Sequence, residues 1–341
     1  MKLNRKNKIF LLLTVMALCL IYTGCGKSEG ANAGGGDNSL PKKITMGYWE
    51  SPNGELLTKE TGALEEAYPD VQIEWVEFQS GTDILTAMQS GSIDFATIGS
   101  PPVALGIANN YPFKVFYLHD VIGESEGLIV RNASGIKSIA DLKGKTIAVP
   151  FGTTSHFAFL NVLKTNGIET TDMTLLDMTA SDLYAAFQRG DIDGAYIWES
   201  VKSQLLESDG TQIVSSAEAA DMGGLTAEVG IVSNDFYEKY PDVVKKYIDI
   251  LDASVQEYRI NPENSAKLMA GGLALSEEDT QVAMNEIIVK DKSEQKNYFG
   301  DGGELETTLK DTADFLYEQG SIDNEIEVDV IKKALLNELY Q

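Results

Sequence analysis

The sequence predicts an α/β protein built from two similar lobes that face one cleft. The first ground is an internal repeat. The pattern D-[IL]-x-x-A-[MF]-Q-x-G-x-I-D-x-A runs from Asp83 to Ala96 and returns from Asp182 to Ala195. A single repeat over so long a period indicates two related α/β units rather than a solenoid. Each copy reads as a helix with apolar residues at i, i+3 and i+4, stopped by Gly91 or Gly190, then a tight turn and a short buried strand. The second ground is size. About 300 residues follow the N-terminal segment, which is enough for about two domains, and 43% of the chain is hydrophobic. The third is order: strands and helices alternate to about Ser233, and an almost wholly helical region follows.

The N-terminus reads as an export signal. Lys2, Arg5, Lys6 and Lys8 precede the uncharged apolar run Ile9 to Tyr22, which is shorter than the ~20 residues of a membrane-spanning helix. The run ends in Tyr22-Thr23-Gly24-Cys25, which resembles a bacterial lipobox with Tyr22 in place of the usual Leu-like residue. Residues 1–24 are therefore expected to be a lipoprotein signal peptide and Cys25 the lipidated first residue; cleavage nearby as an ordinary secreted protein is the alternative. The only other cysteine, Cys19, lies inside the signal, so the mature chain has no disulfide partner for Cys25. Residues 25–41, rich in Gly, Ser, Asn and Ala, read as a flexible linker. Loss of residues 1–24 removes four positive charges and no acid, taking the formal charge from −25 to −29. That charge speaks against nucleic acid as a partner and against wide contact with anionic lipid, leaving the lipid at Cys25 as the membrane attachment.

Within the body, strands are expected at Ile44–Tyr48, Val71–Val76, Val115–Leu118 and Gly127–Arg131, with helices at Gly54–Ala67 and Pro101–Asn109 around the first repeat. A second lobe opens with a short helix and strand over Ile139–Pro150, a helix from Phe151–His156 to about Gly167, a strand near Leu175–Leu176, the second repeat, and a short helix ending at Asp209–Gly210. Ala227–Ser233 reads as a strand returning to the first lobe. Helices are then expected at Tyr237–Arg259, Asn264–Ala270, Ser276–Val289, Glu304–Gln319 and after Asp323. The lobes are thus expected at 42–130 plus 228–341 and at 131–227.

Catalytic machinery is sparse. There are two histidines, His119 and His156, and no G-x-S-x-G, H-E-x-x-H, C-x-x-C or dinucleotide G-x-G-x-x-G pattern. Gly144-Lys145-Thr146 imitates the end of a phosphate loop, but Ile139 stands where its first glycine belongs and a strand follows where a helix should. Asp191 and Asp193 resemble a metal pair but fall in a turn where Asp caps backbone. No enzyme, cofactor or metal is expected.

What is present suits binding. Gly99-Ser100-Pro101 and Phe151-Gly152-Thr153-Thr154-Ser155 each lie between a strand end and a helix start, where free N–H groups and the helix dipole favour an anion. Ser100, Thr153, Thr154 and Ser155 add hydroxyl donors, although plain N-capping accounts for any one of them. Trp49, Trp198 and Tyr196 offer aromatic walls, and Glu50, Glu199 and Glu228 carboxylates suited to an ammonium group. Glu228 interrupts an apolar strand, where an unpaired carboxylate is costly, so it calls for a cationic partner.

These residues resemble the substrate-binding proteins of bacterial ABC importers for taurine and aliphatic sulfonates, the taurine branch most. The resemblance runs from Ile44 to about Gln319 and is most specific at Ser125–Val130, Asp141–Phe151 and Gln188–Trp198. It implies a periplasmic-binding-protein type II fold: two α/β lobes joined by two crossing hinge strands, placed at Gly127–Arg131 and Ala227–Ser233, with a helical C-terminal region. It also implies a sulfonate held near Ser100 and Thr153 to His156, with Glu228 taking the amine, and Trp49, Glu50 and Trp198 around the mouth. Trp49 and Glu50 stand where relatives carry smaller or uncharged polar residues, which leaves the particular ligand open. A longer alkanesulfonate, a nitrate- or bicarbonate-type anion or a thiamine-precursor heterocycle are the alternatives, with an enzyme on this scaffold a remoter one. The implied partners are a small sulfonate, an ABC permease and its ATPase; the protein is expected to be a monomer on the extracytoplasmic face. Taurine is a zwitterion, so an acidic protein does not repel it as it would nitrate, a difference that salt screens beyond about 8 Å.

Overall fold

Both copies of the repeat fold alike in the computed structural model, which describes residues 40–78 and 80–340. Helix Gly81–Ser90 is capped by the Ser80 side chain and ends on left-handed Gly91, and helix Ala180–Arg189 is capped by Thr179 and ends on left-handed Gly190. The positive φ of both glycines (69° and 79°) is the reason for the residue type. The repeat aspartates tie each turn to the neighbouring strand. Asp94 Oδ2 accepts from Thr45 N and Asp193 Oδ2 from Thr146 N, each at 2.9 Å. The expected signal peptide, Cys25 and the linker up to residue 39 lie outside the described residues.

Eleven strands are described: β1 (Lys43–Tyr48), β2 (Gln72–Glu77), β3 (Phe95–Gly99), β4 (Phe113–Ile122), β5 (Glu126–Arg131), β6 (Thr146–Val149), β7 (Thr174–Asp177), β8 (Gly194–Trp198), β9 (Gly210–Ser215), β10 (Ala227–Ser233) and β11 (Ile287–Val289). They form two sheets of matching plan, β2-β1-β3-β10-β4-β11 and β7-β6-β8-β5-β9. In each, the strand after the repeat helix (β3 or β8) has a parallel neighbour on one side. Its antiparallel neighbour on the other side (β10 or β5) enters from the opposite lobe.

This corrects the expected boundaries. All of Glu126–Arg131 pairs with β8 and β9, so residues 126–131 belong to the second sheet, and the chain passes between sheets at 123–125 and 222–226. The expected hinge strands are interior strands of the two sheets, each entered directly after a passage. Four local expectations also change. The 54–67 helix is broken at left-handed Gly62. The long C-terminal helix restarts at Pro241. Residues 287–289 form an edge strand on β4 rather than a helix end. Strand β9 and helix Ser216–Asp221 replace a segment for which no element was expected.

Apolar side chains on one face of the first sheet, among them Ile98, Val115, Val229 and Ile231, are fully buried in one cluster, and Phe95, Phe116 and Val232 on the other face are buried in a second. At roughly 2 kcal/mol per fully buried aliphatic side chain, these clusters hold the sheet ends in place. Helix Glu304–Glu318 packs on helix Ser100–Ala108 and reaches the second lobe too: Phe315 meets Phe157 edge-on at 5.0 Å and joins the second-lobe core. The C-terminal region therefore braces both lobes. No helix among the described residues is long and apolar enough to cross a membrane.

Candidate functional site

The first wall is set by strand register. Gly99 at the end of β3 lies opposite Glu228 of β10, and Glu228 lies opposite Asp120 of β4, so the three sit side by side across the sheet. Helix Ser100–Ala108 starts directly after Gly99 with Pro101 in its first turn. The fully buried Ser100 hydroxyl accepts from Ala227 N at 3.3 Å. Asn53 caps helix Gly54–Thr61 by accepting from Glu55 N and Leu56 N, and its amide donates to Asp120 Oδ2 at 3.0 Å. Asp120 Oδ1 and Glu228 Oε2 are buried with no hydrogen-bond partner among the described residues. Behind them, Glu55 accepts from Thr97 at 2.5 Å and from Tyr247 at 2.9 Å, while His119 Nε2 lies 3.0 Å from the Thr97 hydroxyl.

The second wall comes from the turn after β6. Thr153 caps helix Thr154–Thr165 by accepting from His156 N at 3.2 Å, and its own hydroxyl donates to Pro150 O at 2.7 Å. Thr154 donates to Glu126 Oε1 at 2.5 Å and Ser216 to Glu126 Oε2 at 3.2 Å. Tyr196 OH stands 3.0 Å from Ser216 Oγ. The Ser155 hydroxyl, fully buried, faces the Glu126 carboxyl and favours its ionisation without reaching a hydrogen bond of full geometry. His156 stacks on Phe151 at 4.2 Å, and its Nδ1 accepts from Gly152 N at 3.3 Å. The lobes touch between these walls: a Cβ built on Gly99 would lie 2.9 Å from Thr154 Cγ2 and 3.6 Å from Glu228 Oε1. A methyl there requires Thr154 to shift.

Burial governs the electrostatics. Four buried carboxyl groups, Glu55, Asp120, Glu126 and Glu228, meet at this junction. Desolvation pushes Glu55, Asp120 and Glu126 each up to about 7, against the hydrogen bonds that favour ionisation. Desolvation raises Glu228 well above the carboxylate range, helped by the charges of Asp120, Glu126 and Glu55. Burial also lowers His119 to about 3 and His156 to about 4, so both rings are neutral. No Lys or Arg is hydrogen-bonded to Asp120, Glu126 or Glu228 among the described residues. Beside the junction, Lys202 ties the lobes together. Its ammonium donates to Glu124 O at 2.5 Å and to Glu286 Oε1 at 2.9 Å, and lies 3.0 Å from Glu199 Oε1.

Of the residues singled out from sequence, Ser100, Thr154, Ser155 and Glu228 come together at this junction. Thr153 is occupied in capping its helix. His156 lies in the first turn of that helix, stacked on Phe151. Trp198 ends β8 opposite Glu126 and packs partly on the second-lobe core, and Trp49 packs partly on the first-lobe core. Glu50 is exposed, with Glu77 and Lys59 as its charged neighbours, and does not join the buried carboxyls. Asp120, Glu126 and Glu55 were not foreseen as site residues. The argument applied to Glu228, an acid inside an apolar strand, applies equally to Asp120 in Phe116–Ile122 and to Glu126 before Gly127–Val130. No group of His, Cys, Asp and Glu among the described residues has metal-holding geometry.

Comparison with known proteins agrees with this architecture. The structure resembles the aliphatic sulphonate binding protein SsuA of Escherichia coli (TM-score 0.73, 24% identity, 85% of this chain and 92% of that one). It also resembles the alkanesulfonate-binding SsuA of Xanthomonas axonopodis pv. citri bound to MOPS (TM-score 0.75, 23% identity, 87% and 99%). The desulfurization enzyme DSZB shares the fold at a TM-score of 0.65 and 17% identity, covering 88% and 98%. At these identities the likeness is one of fold. In sequence, the chain is 34% identical over 274 residues to the taurine-binding periplasmic protein of Escherichia coli K12, covering 78% of this chain and 81% of that protein. It is 29% identical over 334 residues to a putative aliphatic sulfonates-binding protein of Bacillus subtilis 168, covering 95% and 96%. Residues 45–265 match the family described as NMT1/THI5 like, and with these relatives the chain belongs to that family.

Proposed function

We propose that the protein is an extracytoplasmic solute-binding protein that captures a small amino-sulfonate, taurine or a close analogue, between its lobes and delivers it to an ABC permease. The observation that carries the reading is the pair of orphaned carboxyl oxygens, Asp120 Oδ1 and Glu228 Oε2, at a junction that also gathers two helix starts and the buried Ser155 hydroxyl. A sulfonate takes the N–H groups and hydroxyls at Ser100 and Thr154–Ser155. The amine takes Glu228. Trp49 and Trp198 close the mouth, and His156 is a neutral member of the second wall. Ligand bridging both walls shifts the lobes toward the closed state. Residues 1–24 serve as signal peptide and Cys25 carries the lipid that holds a monomer at the membrane. The protein performs no chemistry on its ligand, which the recovery of bound compound unchanged by mass spectrometry checks.

Calorimetry with taurine, ethanesulfonate, a longer alkanesulfonate, nitrate and a thiamine precursor tests the ligand class; no sulfonate binding below millimolar concentration refutes it. Glu228→Gln removes a buried charge partner worth about 3 kcal/mol, so taurine affinity should fall roughly 100-fold while ethanesulfonate, which has no amine, binds as before. Equal losses for both would make Glu228 structural.

A further inference from the structure

We infer that, before a ligand arrives, the cleft stores a proton on the Asp120–Glu228 pair and releases it when a ligand's ammonium group takes its place, so that capture is coupled to proton release. The inference rests on the amino-sulfonate reading above and adds to it a regulation by pH. Its ground is geometric. Asp120 and Glu228 are register partners on adjacent antiparallel strands, where opposed side chains lie roughly 5 Å apart at Cβ. Each keeps one buried oxygen without a donor.

Every charged neighbour makes full ionisation worse or stands too far away to help. Glu55 from helix Gly54–Thr61 and Glu126 from β5 add like charge to Glu228, and Tyr258 from helix Pro241–Ile260 is a neutral phenol beside Asp120. His119, next in sequence to Asp120, is turned to Thr97 and neutral. Tyr196 and Tyr247 are neutral phenols behind Ser216 and Glu55. Lys202 acts on Glu126 but is spent on Glu124, Glu199 and Glu286. Two like charges so close and so dry cannot both ionise, so a proton stays. The opposite wall supplies the second observation. Ser155, fully buried and without a hydrogen bond of full geometry, presents a hydroxyl beside Glu126 that a zwitterion's anionic end can use, placing its cationic end toward Asp120 and Glu228.

The proton balance is simple. The ligand enters as ammonium and stays so; a carboxyl O–H breaks, its proton goes to water, and the carboxylate left behind pairs with the ammonium. An amine-free sulfonate needs no such exchange and leaves the proton where it is.

The test is titration calorimetry of the full chain with taurine and with ethanesulfonate, in phosphate and in Tris, whose ionisation heats differ. Taurine should release about one proton per site between pH 6 and 8, so its affinity should rise about tenfold per pH unit. Ethanesulfonate should release none. Asp120→Asn should cut the release while leaving a measurable taurine heat, and because the wild-type titration alone decides the matter, a poorly folding variant does not blunt it. Taurine binding with heats independent of buffer and affinity independent of pH overturns proton coupling alone. Binding of neither ligand overturns the ligand reading and this inference together.

Discussion

Lys202 offers the sharpest stability test, because one ammonium serves both lobes. The residue is 3% exposed and lies on helix Val201–Glu207, which follows β8 of the second sheet. Its partner Glu286 lies immediately before β11 of the first. Lys202→Met keeps the apolar stem and removes the charge. Glu199 and Glu286, both partly buried, are then left facing one another, with Glu286 already pushed up to about 7 by desolvation even with Lys202 opposing it. Breaking a buried pair on one side costs about 3–5 kcal/mol. The cost also has a pH signature. A carboxyl whose native pKa is raised stabilises the fold while protonated, and that contribution is lost as pH rises through the folded value. Urea unfolding should therefore show the variant about 3–5 kcal/mol less stable than wild type at pH 8 and clearly less penalised at pH 5. Adding Glu286→Gln should recover a large part of the pH 8 loss. A Lys202→Met variant within about 1 kcal/mol of wild type at pH 8, the size expected of an exposed ion pair, or penalised more at pH 5, would refute the reasoning.

Gly99→Ala places a methyl 2.9 Å from Thr154 Cγ2; overpacking of about 1–3 kcal/mol is relieved by parting the lobes, so ligand affinity should fall about tenfold with only a small change in unfolding midpoint. Unchanged affinity would show that the lobes need not meet there. The buried Glu55 predicts a falling stability curve: burial pushes its carboxyl up to about 7, against 4.5 for an ordinary glutamate, so without ligand about 3 kcal/mol should be lost between pH 5 and 8 on its account. Glu55→Gln should remove its share of that slope in thermal or urea unfolding, leaving the part due to the other buried acids, and an unchanged slope would exclude the buried neutral acid at Glu55.

Much of the frame was legible because it depends on local signals. Gly91 and Gly190 mark left-handed helix ends, and the duplicated Asp94 and Asp193 mark turns whose backbone partners, Thr45 and Thr146, recur at matching places in the two sheets. What escaped depends on long-range pairing. Strand β9 carries no strong alternation, and it is a strand because β5 offers an edge. Ile287–Val289 carries the apolar residues of a helix end and extends only because β4 continues four residues beyond Leu118 to meet it. That same extension, unseen in the pattern, brings Asp120 beside Glu228. The site was therefore half read: the turns and Glu228 come from chemistry along the chain, whereas Asp120 and Glu126, acids in apolar runs by the same argument, meet Glu228 only through register. Glu50 is the complementary case: it follows a strand end, its charged neighbours are Lys59 and Glu77, and it stays outside the group of buried acids.

The crossing topology turns these acids into a charge filter. Asp120 and Glu228 belong to the first sheet and Glu126 to the second, and each sheet's strand next to the repeat strand has come from the other lobe. The passages at 123–125 and 222–226 therefore bring carboxyls from both sheets to one junction, where all three are buried. Both ionised, Asp120 and Glu228 would repel by about 3 kcal/mol as unit charges roughly 6 Å apart at an effective dielectric near 20, with desolvation added, so without a ligand cation the pair keeps a proton. A monoanionic ligand leaves that proton in place and gains no charge pair; a zwitterion brings its own cation and replaces it. Discrimination between an amino-sulfonate and a plain anion then needs no arginine and little added contact. It follows from the ammonium–carboxylate pair that only the zwitterion can form, the specificity open to a cleft whose buried acids have no hydrogen-bonded Lys or Arg among the described residues.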